Sequence, residues 1–349
     1  MESFMSDLIR KDFARQALAC ELLGSPFTGR VCRLLGERLG DTSRFGARVL
    51  GWEGNPQADA LPLRAAGGFH ALKRQGDAAL AAAYPPKEVD NDALWAALDA
   101  AIAAHDDFLH GFLDSAPQTN EVSRSNAILG AALHVAKRTG LPLAIREIGS
   151  SAGLNLGFDA YRYELGSAKW GEPTSPVMIE AEWQGASPPL DAKLEIASRK
   201  GCDLNPLDAG RQADRERMLS YIWPDQTARL ARIGAALDMA ARSGRAVEKA
   251  DAAEWVEREF GGAGVKGETR VLMHTIVWQY LPQSVKARIE AAMERAAAGA
   301  TREVPLAWIG VEADAKDAAS ASVRLRLWPD GTDEELGRAD FHGRWTRWG

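Results

Sequence analysis

An α/β fold behind an all-helical N-terminal half is predicted by three observations. Residues 1 to about 140 carry Ala/Leu-rich stretches at helical spacing and no convincing series of strands. After Gly140-Leu-Pro142 the pattern changes, and short apolar runs alternate with helical stretches to the end of the chain. At that junction stands Leu143-Ala-Ile-Arg-Glu-Ile-Gly-Ser-Ser-Ala-Gly-Leu-Asn155, which reads as a strand, a tight glycine turn and a helix start.

In the first half, Phe13, Ala17, Cys20 and Leu23 share one helical face, and Gly24 is placed to end that helix. Further helices are expected over 68–84, 93–113 and 122–139, punctuated by Pro56, Pro62, Pro85-Pro86 and Pro117. The second half offers strands at 143–148, 193–203, 246–249, 270–277 and 304–311. Helices are expected at 209–221, 226–243, 252–260 and 282–298, with a break at Trp223-Pro224. Val177–Trp183 alternates apolar and acidic residues, and with Tyr161–Leu165 it predicts a β hairpin inserted near 159–190. Ser322–Trp328 also alternates, Gly331 marks a turn, and Gly337–Trp345 is the expected antiparallel return. The reading is a helical domain at 1–140 and a mostly parallel sheet domain at 141–349, closed by an antiparallel C-terminal hairpin.

Composition narrows the functions. The chain has 349 residues, 46% of them apolar, enough for about two domains with substantial cores. Its formal net charge of −6 argues against duplex nucleic acid as a partner, because that surface demands a basic footprint. Cys20, Cys32 and Cys202 form no CxxC pair and no zinc spacing, so reduced thiols and no metal site are expected. No apolar run reaches membrane-span length, and no signal-peptide pattern opens the chain. A cytoplasmic protein acting on a small-molecule substrate is the expectation, with its oligomeric state open.

Three acids fall at consecutive strand ends: Glu147, Asp203 in Gly-Cys-Asp-Leu-Asn-Pro, and Asp251 in Glu-Lys-Ala-Asp-Ala-Ala-Glu-Trp. With Gly149 and Gly153 following Glu147, this resembles the Rossmann-like class I S-adenosylmethionine-dependent methyltransferases, whose first motif is an acid, any residue, and three alternating glycines. Ser151 stands at the middle glycine position. The resemblance covers about residues 141–349 and implies S-adenosylmethionine as cofactor. Glu147, Gly149, Ser151, Gly153 and Asn155 would line it, Asp203 would hold the ribose hydroxyls, and Asp251 with Ala252 would meet the adenine. The segment His274–Tyr280 would face the methyl group, with His274 and then Tyr280 as candidate bases. The whole chain is also similar to a bacterial family of unknown function that has a helical first half and the same Gly-Ser-Ser-Ala-Gly-Leu-Asn turn.

Other chemistries compete for the same residues. Gly149-Ser-Ser151-Ala-Gly153 matches G-x-S-x-G, the nucleophile elbow of α/β-hydrolases, and Asp251 followed by His274 or His342 keeps the Ser-Asp-His chain order. No earlier strands and no HGGG-type segment accompany it. A dinucleotide turn lacks its second and third glycines, and a P-loop lacks its Lys-Ser/Thr. A third reading keeps the fold without turnover, as a nucleotide-binding or interaction protein. Structural roles stay open too: Asp203 can cap the Asn205-Pro206 turn, Asp251 can N-cap the next helix, and His274 can be a hydrogen-bonded core residue. Asn120, Glu121 and Arg124, at the start of the helix leading into the first strand, are candidates for a lid, and Asn120 for a helix cap.

Overall fold

The computed structural model describes residues 2–245 and 247–349. Helices come first: α1 (Glu2–Leu22), α2 (Pro26–Arg38), α3 (Arg44–Leu50), α4 (Leu61–Arg74), α5 (Ala78–Ala83), α6 (Asn91–Phe112) and α7 (Ser125–Thr139). Then follow β1 (Leu143–Ile148), β2 (Arg162–Leu165), β3 (Ala168–Trp170), β4 (Met178–Gly185), β5 (Ile196–Asp203), α8 (Gln212–Ser220) and α9 (Thr227–Ser243). The rest is β6 (Val247–Lys249), α10 (Ala252–Phe260), β7 (Thr269–Thr275), α11 (Gln283–Ala298), β8 (Leu306–Ala313), β9 (Ala321–Trp328), β10 (Thr332–Ala339) and β11 (Trp345–Trp348). Ala246, expected at the start of a strand, lies outside the described residues.

The chain forms two compact units, one reaching to Thr119 together with Gln212–Gly234, the other Asn120–Arg211 with Ala235–Gly349. The contact boundary and the sequence division near residue 140 differ by α7, whose side chains pack on β4, β8 and β9. In the helical unit α1 stops where expected: Gly24 takes φ +85° and Ser25 N–H reaches back to Cys20 O at 2.8 Å. Ser25 then caps α2, with Pro26 in its first turn. The returning segment is tied in by Asp225, which accepts from Ser25 Oγ and from Phe27 N–H. Phe13, Leu34, Phe45, Phe69 and Leu98 lie in the core of this unit. His70 is buried in the unit against Ser220 O, and desolvation pushes its imidazole down to about 4.

The second unit holds one eleven-stranded sheet in the order β3-β2-β4-β11-β10-β9-β8-β7-β1-β5-β6. The run β6-β5-β1-β7-β8 is parallel, and β9, β10 and β11 continue antiparallel. This is the mixed α/β sheet read from the sequence. From β1 the chain builds outward to β5 and β6, then returns to place β7 on the other side of β1. The connections therefore diverge at the carboxyl ends of β1 and β7, the place where open parallel sheets leave a crevice. Ile148, Cys202, Leu272, Leu306 and Trp308 share a core with α10 and α11, and strand alternation turns their chain neighbours to the opposite face. Among the described residues no helix is long and apolar enough to cross a membrane, and the three cysteines are free thiols.

In the sheet unit three expectations change, while in the helical unit the helix expected over 68–84 is two, α4 and α5. The glycine turn does not open an α-helix; it runs into a 3-10 segment, Asn155–Ala160, and then into the insertion. The insertion is not a hairpin of 161–165 with 177–183: β2 pairs antiparallel with β3 and parallel with β4, because Gly166 makes the tight turn to Ala168–Trp170. The antiparallel partner of β9 begins at Thr332 instead of Gly337, directly after the Gly331 turn, and Trp345–Trp348 is a separate strand that joins the C-terminal strands to β4.

The Trp348 ring lies on α7 at Gly130, where an added Cβ would sit 2.6 Å from the ring. Alanine favours a helix over glycine by about 1 kcal/mol, but overpacking costs about 1–3 kcal/mol. Gly130→Ala is expected to lower stability in urea or thermal unfolding, against its propensity gain.

Candidate functional site

The carboxyl end of β1 is held from several directions. Ser150 N–H donates to Cys202 O at 3.0 Å, and Ser151 N–H donates to Asp203 Oδ2 at 2.9 Å. Leu154 N–H donates to Asn120 Oδ1 at 2.7 Å, while the Tyr161 hydroxyl donates to Leu154 O at 2.6 Å. Tyr163 Oη donates to Phe158 O at 2.6 Å, so two tyrosines of the insertion clamp the turn and its 3-10 segment. Gly149 and Gly153 take φ +67° and +68°. A Cβ at Gly149 would lie 2.4 Å from Val277 Cγ2, so the close approach this glycine permits is to a protein side chain.

Three polar side chains gather at this turn. Glu147 is 1% exposed, and its Oε2 has no hydrogen-bond partner. Burial pushes its carboxyl up to about 8, against the opposing effects of the Ser150 hydroxyl and the positive charge of Arg124. Ser151 takes φ +52°, a left-handed conformation that costs a non-glycine residue about 1–2 kcal/mol, and its Oγ is buried without a partner. Asn155 is fully buried, and neither Oδ1 nor Nδ2 is paired. Buried polar atoms are paired in most folded proteins, so this concentration at one turn calls for a cause.

The remaining sequence candidates divide. Asn120 is buried and holds the turn through Leu154, while Glu121, not Asn120, caps the 3-10 turn Val122–Arg124 by accepting from Ser123 N–H. Arg124 is buried and donates to Thr275 O and Oγ1 at 2.9 and 3.1 Å, which puts it beside the end of β7 on the Glu147 face. Asp203 has both oxygens engaged, Oδ2 by Ser151 N–H and Oδ1 by Asn205 N–H at 2.8 Å. Asp251 N-caps α10, accepting at Oδ1 from Ala253 N–H and Glu254 N–H, and Ala252 opens that helix. His274 projects to the opposite face from Glu147. Trp308 Nε1–H donates to its Nε2 at 2.8 Å, and its Nδ1 meets Glu312 Oε1 at 2.7 Å. An indole can only donate, so the ring is the Nδ1–H tautomer with both nitrogens occupied. Tyr280 is 74% exposed in a 3-10 turn. His342 lies between β10 and β11, its N–H on Asp340 Oδ1.

Sequence reasoning missed Arg245 and the Trp308–His274–Glu312 chain. Arg245 sits against Gly157, where a Cβ would be 1.9 Å from its Nη1, and burial lowers its pKa. Gly157 was the available signal. Among the described residues no group of three or more His, Cys, Asp or Glu is arranged to hold a metal ion.

Two outcomes follow. The Glu147 carboxyl titrates higher folded than unfolded, so the native state binds the extra proton. Its contribution to stability is therefore full below the unfolded carboxylate range and is lost as pH rises toward about 8. Glu147→Gln removes that proton, so in urea unfolding the mutant should gain on the wild type from pH 5 to pH 8, by up to about 4 kcal/mol. Asp203→Ala deletes the acceptor of two backbone N–H groups and is expected to lower apo stability by about 2 kcal/mol, read from the same melts.

Comparison with curated proteins and with solved structures gives no match. The chain belongs to DUF2332, a family of uncharacterized proteins conserved in bacteria, whose model matches residues 10–348.

Proposed function

We propose that the sheet unit binds S-adenosylmethionine at the β1 turn and passes its methyl group to a small acceptor. The observation that carries this reading is the set of buried, unpaired polar atoms, Glu147 Oε2, Ser151 Oγ and both amide atoms of Asn155, at the carboxyl end of the central parallel strand. Those atoms fit a ligand with amino, carboxylate and hydroxyl groups. Asp203 contributes its second lone pairs, since each carboxylate oxygen accepts more than one hydrogen bond. Asp251 keeps Oδ2 for an adenine or ribose contact while Oδ1 caps α10. The short 3-10 segment supplies no helix terminus, so recognition rests on these side chains.

When bound, the cofactor supplies an electrophilic methyl on sulfur, and the chain's part is to hold donor and acceptor in line. The pinned turn suits that task, because its geometry is set before a ligand arrives. This reading assigns no base to His274 or Tyr280, since the imidazole is engaged on the opposite face and Tyr280 is exposed.

One observation favours a second reading. Ser151 stands at a left-handed turn inside G-x-S-x-G with an unpaired Oγ, as a nucleophile would. No histidine is hydrogen-bonded to it among the described residues, so the methyl-transfer reading ranks first.

Calorimetry with S-adenosylhomocysteine should give a dissociation constant near micromolar, about −8 kcal/mol, and Asn155→Ala should weaken it ten-fold or more. Absence of heat and of any thermal shift at millimolar ligand would end this reading. Labelling of Ser151 by a fluorophosphonate, lost in Ser151→Ala, would replace it with the hydrolase.

A further inference from the structure

A cavity of about 260 Å³ lies on the sheet face that α11 covers, lined by His274, Trp278, Trp308, Glu312, Arg324 and Arg326 among others. Its floor follows from strand register. Leu272, Trp308 and Arg326 are aligned across β7, β8 and β9, and His274, Gly310 and Arg324 form the next row. Gly310 is the centre of that second row, and its missing side chain leaves the space between the imidazole and the guanidinium. A Cβ there would come 3.3 Å from His274 Cε1. Trp278 stacks on His274 with ring centres 5.1 Å apart and meets Trp308 edge-on at 5.7 Å, which makes one wall flat and apolar.

The arginines and Asp314 of the lining have partners within the protein, the two arginines sharing Asp333. Arg324 holds Asp333 through two nitrogens at 2.6 and 2.9 Å. Arg326 lies over the Trp308 ring at 4.9 Å, with Asp333 3.4 Å away. Asp314 is gripped by Arg338 at 2.9 Å through both terminal nitrogens. Glu312 differs. Its Oε1 accepts from His274 Nδ1–H at 2.7 Å and from Val277 N–H at 3.1 Å, both uncharged donors in the tautomer that Trp308 imposes. Its Oε2 is buried and has no hydrogen-bond partner. The exposed Glu290 adds a second acid to the lining.

We infer that this cavity is a binding site for a small organic ammonium, with the N–H donors on Glu312 Oε2 and the apolar body against Trp278 and Trp308. Neutral donors leave the charge of a carboxylate unbalanced, whereas an ammonium brings the opposite charge together with its N–H donors. The Trp308–His274–Glu312 chain is the positioning device: it fixes the imidazole tautomer, and the imidazole fixes the carboxylate. The site faces away from Glu147 and stands independently of the adenosyl reading.

The test uses the full chain and calorimetry with benzylammonium, benzyl alcohol and benzoate, three ligands of one shape and different charge. Benzylammonium is expected to bind at least ten-fold tighter than the alcohol, and benzoate weakest. Glu312→Gln keeps a carbonyl oxygen for His274 and Val277 but places an amide NH2 at the Oε2 position. It should weaken benzylammonium at least ten-fold and leave the alcohol within about three-fold. Equal binding of ammonium and alcohol overturns the inference, as does tighter binding of benzoate, which would assign the cavity to its arginines. Undiminished affinity in Glu312→Gln, or no heat from benzylammonium at its solubility limit, also overturns it. The charge series on the wild type decides the matter even if the variant fails to fold. Because S-adenosylhomocysteine is not among the probes, failure here and failure of the adenosyl reading are separate results.

Discussion

The turn after β1 is the constraint on which the rest of the site depends. A left-handed serine and a buried glutamate are each unfavourable alone, by about 1–2 kcal/mol for the backbone of Ser151 and more for an ionised Glu147 carboxyl. They persist because the surrounding chain over-determines the turn. Asp203 from β5 takes one amide, Asn120 ahead of α7 takes another, and Tyr161 and Tyr163 from the insertion take the carbonyls. Each of these bonds is worth about 1 kcal/mol net, so together they exceed the backbone strain at Ser151.

That arrangement changes the meaning of the insertion. Residues 162–185 extend the sheet beyond β11, but the tyrosines at the start of β2 are what brace the turn. A plain strand–turn–helix unit would stabilise such a turn with helix amides. Here a six-residue 3-10 segment replaces the helix, and side chains do that work instead.

Strand alternation then divides the chemistry between two faces. Glu147 and Thr275, with Arg124 beside them, lie on one side, and His274, Trp308 and Glu312 lie on the other. A histidine one residue from the Glu147 row is thereby withdrawn from it. The same row structure leaves space at Gly310, so the missing side chain in β8 opens part of the cavity on that face.

Much of this was legible in the chain. The Leu143–Ile148 run, the glycines at 149 and 153 and the later alternation of strands and helices are local patterns, and local periodicity determined the α/β class, the glycine turn and the succession of strands along the chain. The capping role open to Asp251 and the Gly24 helix end were readable for the same reason. Tertiary structure alone decided which buried groups meet. Asn120 reaches Leu154 across 34 residues, Arg124 reaches Thr275 across 151, and His274 meets Glu312 across 38. Strand register between β7 and β8 sets the last of these, and packing of the segment before α7 against the sheet sets the other two. A shift of one residue in register would exchange the two faces, and no local sequence pattern encodes the alignment of strands so far apart.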